Sequence, residues 1–170
     1  MQSKHSRYSL ISFLLFANIV IDQTSKAIVR KNIKEFEVIP LFKSYFSLTK
    51  IENSGAFLSF GDSLPELLKF ILLTIFPLIV LLVGVVFLFM KTYLSKRIIV
   101  ALTFILGGGI GNLYDRIVYG SVTDFLHMDF VIFQTGIFNL ADVSIMIGMG
   151  LIILDSFLVR KNKTNIVNVN

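Results

Sequence analysis

The sequence predicts an α-helical membrane protein, with four transmembrane helices and a small stranded region outside the membrane. The 170-residue chain is 55% hydrophobic, whereas soluble domains are roughly 45–50% apolar. Its apolar residues are concentrated in four segments, and a helix needs about 20 residues to cross a bilayer. The longest polar stretch, residues 30–66, separates the first two segments. A chain of this length is expected to form a single integral membrane domain, residues 1–170.

The four apolar segments are expected to be helices, because a backbone in hydrocarbon must satisfy its own hydrogen bonds. The first segment follows Lys4 and Arg7 as in a secretory signal peptide, but "IVIDQTSK" offers no small-residue cleavage site, so an uncleaved span is expected. The second carries Lys69 as its only charge, and "SLPE" at residues 63–66 has the spacing of a capping box at its start. The expected spans are residues 8–29, 67–90, 97–115 and 138–159.

An even number of spans places both termini on one side of the membrane. Basic residues near helix ends are concentrated on that side, which the positive-inside rule makes cytoplasmic. They are Lys4, Arg7, Lys91, Lys96, Arg97, Arg160, Lys161 and Lys163. The other side holds as many Lys and Arg residues, so the expected orientation rests on their density near helix ends. Residues 160–170 are expected to form a C-terminal tail.

The outer polar stretch and the overall composition narrow the function classes. The run "FEVIPLFKSYFSLTKI" is rich in aromatic and β-branched residues, which indicates short strands in the outer loop, residues 30–66. The formal net charge is +5, but the basic residues flank apolar runs, which favours a membrane interface over a nucleic-acid partner. The absence of Cys excludes disulfides, thiolate metal sites and a Cys nucleophile.

Polar and charged residues are concentrated at the outer ends of the predicted spans. Ionisable groups at that depth face a protein interior or a wet cavity, and they are candidates for function. The first span ends with Asp22, Gln23, Ser25 and Lys26, the third ends with Asn112, Asp115 and Arg116, the fourth begins with Asn139 and Asp142, and Asn53 and Asp124 fall in the outer loops.

Asp124 and Asp142 are candidates for an acid–base pair. Two carboxylates a few ångströms apart share a proton, so one activates water while the other donates to a substrate carbonyl. That chemistry cleaves peptides without a metal, Ser or Cys. Two structural interpretations stay open beside it: Asp142 is the third residue of a helix capped by Asn139, and Asp124 is a turn residue.

Other polar pairs in the same layer favour structural roles. Asp115 and Arg116 are adjacent, and we expect them to form an ion pair, because an Arg beside an acid holds it ionised. Asp22 and Lys26 are four residues apart, which predicts a salt bridge on one helix face. The run "GGGIG", residues 107–111, lacks the ending of a phosphate loop and predicts close helix packing instead.

The sequence favours neither a serine hydrolase nor a metal enzyme. Ser25 with Lys26, or Ser144, could suggest a Ser–Lys hydrolase, but Lys26 is adjacent to Ser25 and so points in a different direction on a helix. His5 and His127 are far apart and belong to no ligand cluster. No metal or other cofactor is expected.

Five motifs in order resemble the lipoprotein signal peptidases, also called signal peptidase II. They are "DQTSK" (22–26), "NSGAF" (53–57), "GGGIGNLYDR" (107–116), "VTDF" (122–125) and "FNLAD" (138–142). The resemblance covers about residues 8–160. It implies a multi-pass aspartic endopeptidase of the bacterial cytoplasmic (inner) membrane, with its active site near the outer surface. Such an enzyme removes the signal peptide of prolipoproteins, cutting just before a diacylglyceryl-modified cysteine.

The resemblance also implies the site and its ligands. Asp124 and Asp142 match the catalytic dyad of the family. Residues matching positions that support the site or contact substrate are Asp22, Lys26, Asn53, Gly108, Asn112, Asp115, Arg116, Asn139 and Ala141. The implied partners are the diacylglyceryl-modified prolipoprotein, membrane lipid and globomycin-type inhibitors.

The resemblance implies a small extracytoplasmic β-cradle with a short, mobile helix over the site. One motif departs from the family, which usually has two Ala residues after the Gly. Here Ala56 is followed directly by Phe57, and a larger side chain near the site bears on substrate preference.

A small four-span transporter or channel subunit is the alternative, with the acids acting as a proton or ion relay. A transport pathway needs polar residues near mid-membrane and on both sides. The mid-span stretches 72–89 and 99–105 contain only Thr74 and Thr103 as polar residues. The polar layer therefore favours the peptidase.

Overall fold

The predicted helical membrane fold is confirmed in the computed structural model, which describes residues 4–42, 45–56, 61, 63–130 and 132–167. Within those residues, four helices are long and apolar enough to cross a membrane. A small antiparallel sheet lies at one end of them. Large apolar side chains such as Phe13, Phe16 and Met146 are exposed on the helices, as expected of surfaces that face lipid.

The four spans are built from five α-helices. These are α1 (Lys4–Asn32), α2 (Glu66–Phe70) and α3 (Phe76–Met90), which together form the second span, α4 (Lys96–Tyr119) and α5 (Leu140–Val167). The third span was expected to end at residue 115, and it continues to Tyr119. The helical backbone of α5 likewise continues through much of the segment expected to be a tail.

The second span differs from expectation at its start and in its course. Pro65 occupies the N-cap position without a side-chain cap bond, so the predicted capping box is wrong. A π-helical turn, Ile71–Ile75, joins α2 to α3. Pro77 follows in the first turn of α3, and its ring lacks the N–H that an uninterrupted α-helix requires. Such π turns are frequent at functional sites.

Polar contacts hold together the span ends predicted to be cytoplasmic. The Arg7 guanidinium donates to the Leu88 carbonyl at 2.6 Å and to the Lys91 carbonyl at 2.5 Å, so the start of α1 lies beside the end of α3. Arg97 pairs with Asp155 at 2.9 Å, which joins the start of α4 to α5. The first, second, third and fourth spans therefore alternate in direction.

The sheet contains the strands expected in the outer loop and one that was not expected. Strands β1 (Val38–Phe42) and β2 (Phe46–Asn53) come from the outer loop, and β3 (Val122–Met128) follows α4. The order is β1-β2-β3, with both pairs antiparallel.

Two site residues placed in loops by the sequence lie on strands. Asn53 ends β2, and Asp124 is inside β3, where it pairs with Ile51. The interpretation of Asp124 as a turn residue is therefore wrong. Phe125 packs with Val29 and Ile33 at the end of α1, so hydrophobic burial fixes β3 and its acid against the helices.

The short helix expected over the site is not present in the described residues of the outer loop that follow α1 and precede α2, which are 33–42, 45–56, 61 and 63–65. Residues 57–60 and 62 lie outside the described residues, and so does the departure at Phe57.

Candidate active site

Asp124 is held by amide groups from two different elements. Its side chain is only 4% exposed. The Asn139 side-chain amide donates to Oδ1 at 2.6 Å, and the Asn53 side-chain amide donates to Oδ2 at 2.9 Å. Asn53 in turn accepts a bond from the Gly55 N–H at 3.0 Å, which fixes which way its amide faces. The carboxyl group is therefore restrained on both oxygens.

Asp142 is the third residue of α5 and closes the predicted capping box. The Asp142 N–H donates to Asn139 Oδ1 at 3.0 Å, and the Asn139 N–H donates to Asp142 Oδ2 at 3.1 Å. The helix N-terminus also favours negative charge there. The Asn112 amide donates to the other oxygen, Oδ1, at 2.8 Å. The capping role expected of Asp142 is confirmed, and its carboxylate still faces a cavity.

Both acids line one cavity, which we call the central cavity. Its volume is about 210 Å³. Polar groups on its wall include Asn53, Asn112, Arg116 and Asn139, and apolar ones include Leu73, Pro77, Val122 and Ile137. Asn139 donates to Asn112 at 3.1 Å as well as to Asp124, and Asn112 donates to Asp142. Two amides therefore connect the two carboxyl groups.

The environment of Asp124 favours its protonated form. Burial raises the pKa of the Asp124 carboxyl to about 6, chiefly because the charged form loses water. The hydrogen bond from Asn53 opposes this effect, and the negative charge of Asp142 adds to it. A carboxyl with this pKa carries a proton about a tenth of the time at pH 7, far more often than an unperturbed aspartate does.

The ammonium group of Lys26 is buried beside Asn112, the residue that contacts Asp142. Lys26 is fully buried, and Nζ lies 2.9 Å from Asp22 Oδ2, 3.0 Å from Asp115 Oδ2 and 2.9 Å from Asn112 Oδ1. The predicted Asp22–Lys26 salt bridge is confirmed. Asp22 Oδ1 also accepts the Ala141 N–H at 3.0 Å, which joins α1 to the first turn of α5.

The predicted Asp115–Arg116 ion pair is wrong. Asp115 pairs with Lys26 and, at 2.9 Å, with Arg30. Arg116 donates instead to the Gly55 carbonyl at 2.9 Å and lines the central cavity. Adjacent residues on a helix do not face each other, so the two side chains leave α4 in different directions.

The glycine run on α4 permits the close packing that was expected. A Cβ at Gly108 would collide with the Ala141 carbonyl oxygen, and one at Gly111 would collide with the Asp22 carboxyl group. These contacts bring α4 against α5 and α1, which places Asn112 within reach of both Lys26 and Asp142.

The serines proposed for a Ser–Lys mechanism have other partners. The Ser25 hydroxyl donates to the Asp22 carbonyl on its own helix at 2.7 Å, and Ser144 Oγ lies 2.6 Å from Asn18 Oδ1. Lys26 is engaged with acids and Asn112. Among the described residues, no three His, Asp or Glu side chains are placed to hold a metal ion.

Sequence reasoning missed Arg30 and Thr123. Arg30 pairs with Asp115, donates through Nε to Thr123 Oγ1 at 2.8 Å and stacks over the Tyr119 ring. Helical spacing contained a signal for Arg30, because it lies four residues after Lys26 and eight after Asp22. Thr123 comes to the site on β3, which the sequence did not predict.

The stretches 72–89 and 99–105, both fully described, offer no polar path through the second and third spans. Of the two polar residues in those stretches, the Thr103 hydroxyl donates to the Ile99 carbonyl on its own helix at 2.5 Å, and Thr74 is buried near the end of the second span that lies at the site. The transporter alternative is therefore not favoured.

Comparison with known proteins identifies the family. The model of the family described as "Signal peptidase (SPase) II" matches residues 14–158. The chain is 38% identical to the lipoprotein signal peptidase of Brevibacillus brevis, over 89% of this chain and 95% of that one. It is 34% identical to the lipoprotein signal peptidase of Aquifex aeolicus, over 91% and 92%. A solved bacterial membrane enzyme superposes with a TM-score of 0.79 at 26% identity, over 91% of this chain and 92% of that one. The chain belongs to the signal peptidase II family.

Proposed function

We propose that this protein is an aspartic endopeptidase that removes the signal peptide from prolipoproteins, cutting just before a diacylglyceryl-modified cysteine. Asp124 and Asp142 form its catalytic dyad. The observation that carries this proposal is that both carboxyl groups open onto one cavity and are connected by Asn112 and Asn139.

The environments of the two acids suggest their roles. Asp142 lies at a helix N-terminus and accepts two N–H groups, so it is the ionised base. Asp124, whose pKa is raised to about 6, is the protonated acid. Asp142 takes a proton from water, and the water oxygen attacks the carbonyl carbon before the cysteine. Asp124 gives its proton to the carbonyl oxygen in the same step.

The resulting tetrahedral diol collapses with the protons returned to their starting places. Asp142 gives its proton to the cysteine nitrogen as the C–N bond breaks, and one hydroxyl of the diol returns a proton to Asp124. The products are a signal peptide with a new carboxyl group and a lipoprotein with a free amino group. The dyad ends in the state in which it began.

The supporting residues position the dyad. Asn53 and Asn139 orient Asp124, and Asn112 orients Asp142. Lys26, held by Asp22 and Asp115, fixes the Asn112 amide so that its N–H₂ faces Asp142. The remaining supporting positions act through packing or substrate contact: Gly108 and Ala141 where α4 meets α5, and Arg116 on the cavity wall.

The protein works in the bacterial cytoplasmic membrane with both termini in the cytoplasm. The basic helix ends around Arg7 and Arg97 support this orientation, because such residues favour the cytoplasmic side. The acids lie at the opposite ends of the spans, near the outer surface, where a lipidated cysteine is anchored. Globomycin-type inhibitors are expected to occupy the central cavity.

Cleavage of a diacylglyceryl-cysteine prolipoprotein by the purified protein in detergent, with EDTA present, tests the proposal. Wild type is compared with Asp124→Asn and Asp142→Asn, after thermal unfolding shows that each variant is folded. Asp155→Asn is the matched control, because Asp155 pairs with Arg97 at the far end of the spans.

Cleavage before the lipidated cysteine by wild type and Asp155→Asn, with both other variants inactive, supports the dyad. Cleavage that persists in both Asp124→Asn and Asp142→Asn refutes it. If wild type never cuts this substrate, the proposed activity itself is wrong.

A further inference from the structure

Thr123 connects the strand that carries Asp124 to three other elements. Its side chain is fully buried. The hydroxyl donates to Glu52 Oε1 on β2 at 2.9 Å and accepts the Arg30 Nε–H from α1 at 2.8 Å. The Thr123 backbone N–H donates to Asp115 Oδ2 on α4 at 3.3 Å. The residue directly before Asp124 is therefore held from β2, α1 and α4 at once.

Glu52 closes this arrangement from the neighbouring strand. Its Oε2 atom also accepts the Ser121 hydroxyl at 2.8 Å, so one carboxylate binds the residues on both sides of Val122. Hydrogen bonds to a carboxylate are roughly twice as strong as those between neutral groups. We call Glu52, Ser121, Thr123 and Arg30 the strand clamp.

The strand clamp lies on the face of the sheet that is turned away from the central cavity. Successive side chains of a strand point to opposite faces. On β3, Val122 and Asp124 line the central cavity, so Thr123 between them points to the other face. On β2, Asn53 lines the cavity, and Glu52 precedes it. The clamp therefore contacts the backbone neighbours of the site residues and leaves the cavity itself free for substrate.

The pairing of β2 with β3 is irregular close to this point. The register shifts between Leu48 and Ile51, as it does at a β-bulge. A slip of one residue carries every side chain of a strand to the opposite face, and Asp124 would then leave the cavity. Glu52 and Thr123 are direct partners across the two strands, so their hydrogen bond fixes the register at the pair next to Asp124.

From these contacts we propose that Glu52 is a positioning residue of the peptidase, which fixes the register of β3 and so holds Asp124 on the wall of the central cavity. Asn53, the next residue on β2, is held in place with it and keeps its bond to Asp124. The proposal rests on the proposed peptidase function and adds to it a residue that acts through Thr123 and touches no reacting atom.

Steady-state cleavage of one lipidated peptide tests this role. Glu52→Ala removes both acceptor oxygens and is expected to lower kcat by roughly tenfold to hundredfold with KM little changed, because a misplaced reacting group loses rate without weaker substrate binding. Glu52→Gln keeps an oxygen for the Thr123 hydroxyl and an amide for Ser121 Oγ, so it restores most of kcat. Glu35→Ala, which replaces an exposed acid of the same outer loop, retains the wild-type kcat.

The pH profile separates positioning from a simple loss of folded protein. Burial is the chief cause of the raised pKa of Asp124, and a loosened β3 admits water. The fall of kcat/KM with rising pH therefore begins at lower pH in Glu52→Ala. The other charges that act on Asp124 are the same in both proteins: Asp142 on α5, Lys26 on α1 and Arg116 on α4. A smaller amount of folded enzyme would lower the whole profile without shifting it.

Thr123→Val tests the same contact from β3. It removes the hydroxyl with little change of shape, and it is expected to reproduce both the lower kcat and the shifted profile. Thr123→Ser keeps the hydroxyl and restores most of kcat.

Wild-type kcat in folded Glu52→Ala and Thr123→Val, or a lower kcat with an unshifted profile, overturns the proposal. Failure of the peptidase proposal gives a different result, since wild type then does not cleave the peptide.

Discussion

Asn139 donates its side-chain amide to Asp124 at 2.6 Å, and the same side chain caps the helix that carries Asp142. One residue therefore restrains both acids of the proposed dyad. Its amide contacts Asp124 through nitrogen, and its oxygen accepts the Asp142 N–H.

Asn139→Ala is expected to reduce activity far more than its effect on stability explains. Loss of the cap costs about 1 kcal/mol of the free energy of unfolding. Loss of the amide that orients Asp124 is expected to lower kcat by roughly a hundredfold, because misplaced reacting groups lose rate steeply. Steady-state cleavage and thermal unfolding measure the two effects.

Ser95→Ala is the matched control for capping. Ser95 caps α4 at the far end of the spans through its bond with the Ile98 N–H. It should lose similar stability and keep wild-type kcat. A kcat for Asn139→Ala close to that of Ser95→Ala would show that Asn139 acts as a cap alone.

Activity is expected to fall as pH rises through about 6, because Asp124 must carry a proton and burial raises its pKa to about 6. Above that value Asp124 is ionised and cannot protonate the substrate carbonyl. Cleavage also needs one ionised carboxylate, so the dyad as a whole gives a second limb at lower pH, and both limbs report apparent pKa values of the coupled pair. The measurement is kcat/KM against pH with one lipidated peptide. A profile that is flat from about pH 4 to 9 contradicts the carboxylate dyad.

Lys26→Met is expected to destabilise the protein strongly. The change leaves Asp22 and Asp115 buried without the ammonium group that they share, and removing one partner of a buried ion pair costs about 3–5 kcal/mol. Thermal unfolding in detergent measures the loss. Lys31→Met, on the exposed surface of the same helix, should change stability by less than about 0.5 kcal/mol. Equal unfolding temperatures for the two variants would mean that the buried network contributes nothing.

Gly108→Ala is expected to separate α4 from α5. Its Cβ would meet the Ala141 carbonyl oxygen and the Ile145 side chain, so the first turn of α5 must move, and Asp142 moves with it. Both the unfolding temperature and kcat should fall.

Gly150→Ala makes the same substitution on a different helix, α5, at a position where a Cβ meets nothing within 4 Å. It should retain activity and unfold no earlier than wild type, since Ala is favoured over Gly in a helix by roughly 0.5–1 kcal/mol. Activity in Gly108→Ala equal to that in Gly150→Ala would show that close packing at residue 108 is dispensable.

Local sequence patterns gave correct predictions where the interactions that decide the structure join residues close together in the sequence. Four apolar runs gave four helices, because the hydrocarbon demands internal hydrogen bonding. The capping box of Asn139 and Asp142 and the Asp22–Lys26 bridge also depend on residues three or four apart. In contrast, residues 63–66 have the residue types of a capping box, but the box does not form, because spacing in the sequence does not by itself orient a side chain.

Long-range placement accounts for the errors. Strand β3 is a short segment after a helix, and it becomes a strand because β2 supplies its backbone partners. The pairing of Asp115 with Lys26 and Arg30, in place of Arg116, depends on how α4 lies against α1. Neither relationship leaves a local signal in the sequence.

The sequence by itself determined the membrane class, the four spans and, through five ordered motifs, the family. Those features depend on composition and on short spacings. Only the tertiary structure decided that Asp124 and Asp142, 18 positions apart and on a strand and a helix, face one cavity with Asn112 and Asn139 between them. The reason is physical, because hydrogen bonds and cavities depend on distances in space. Those distances are set by the packing of α1, α4, α5 and the sheet, and sequence spacing does not determine them.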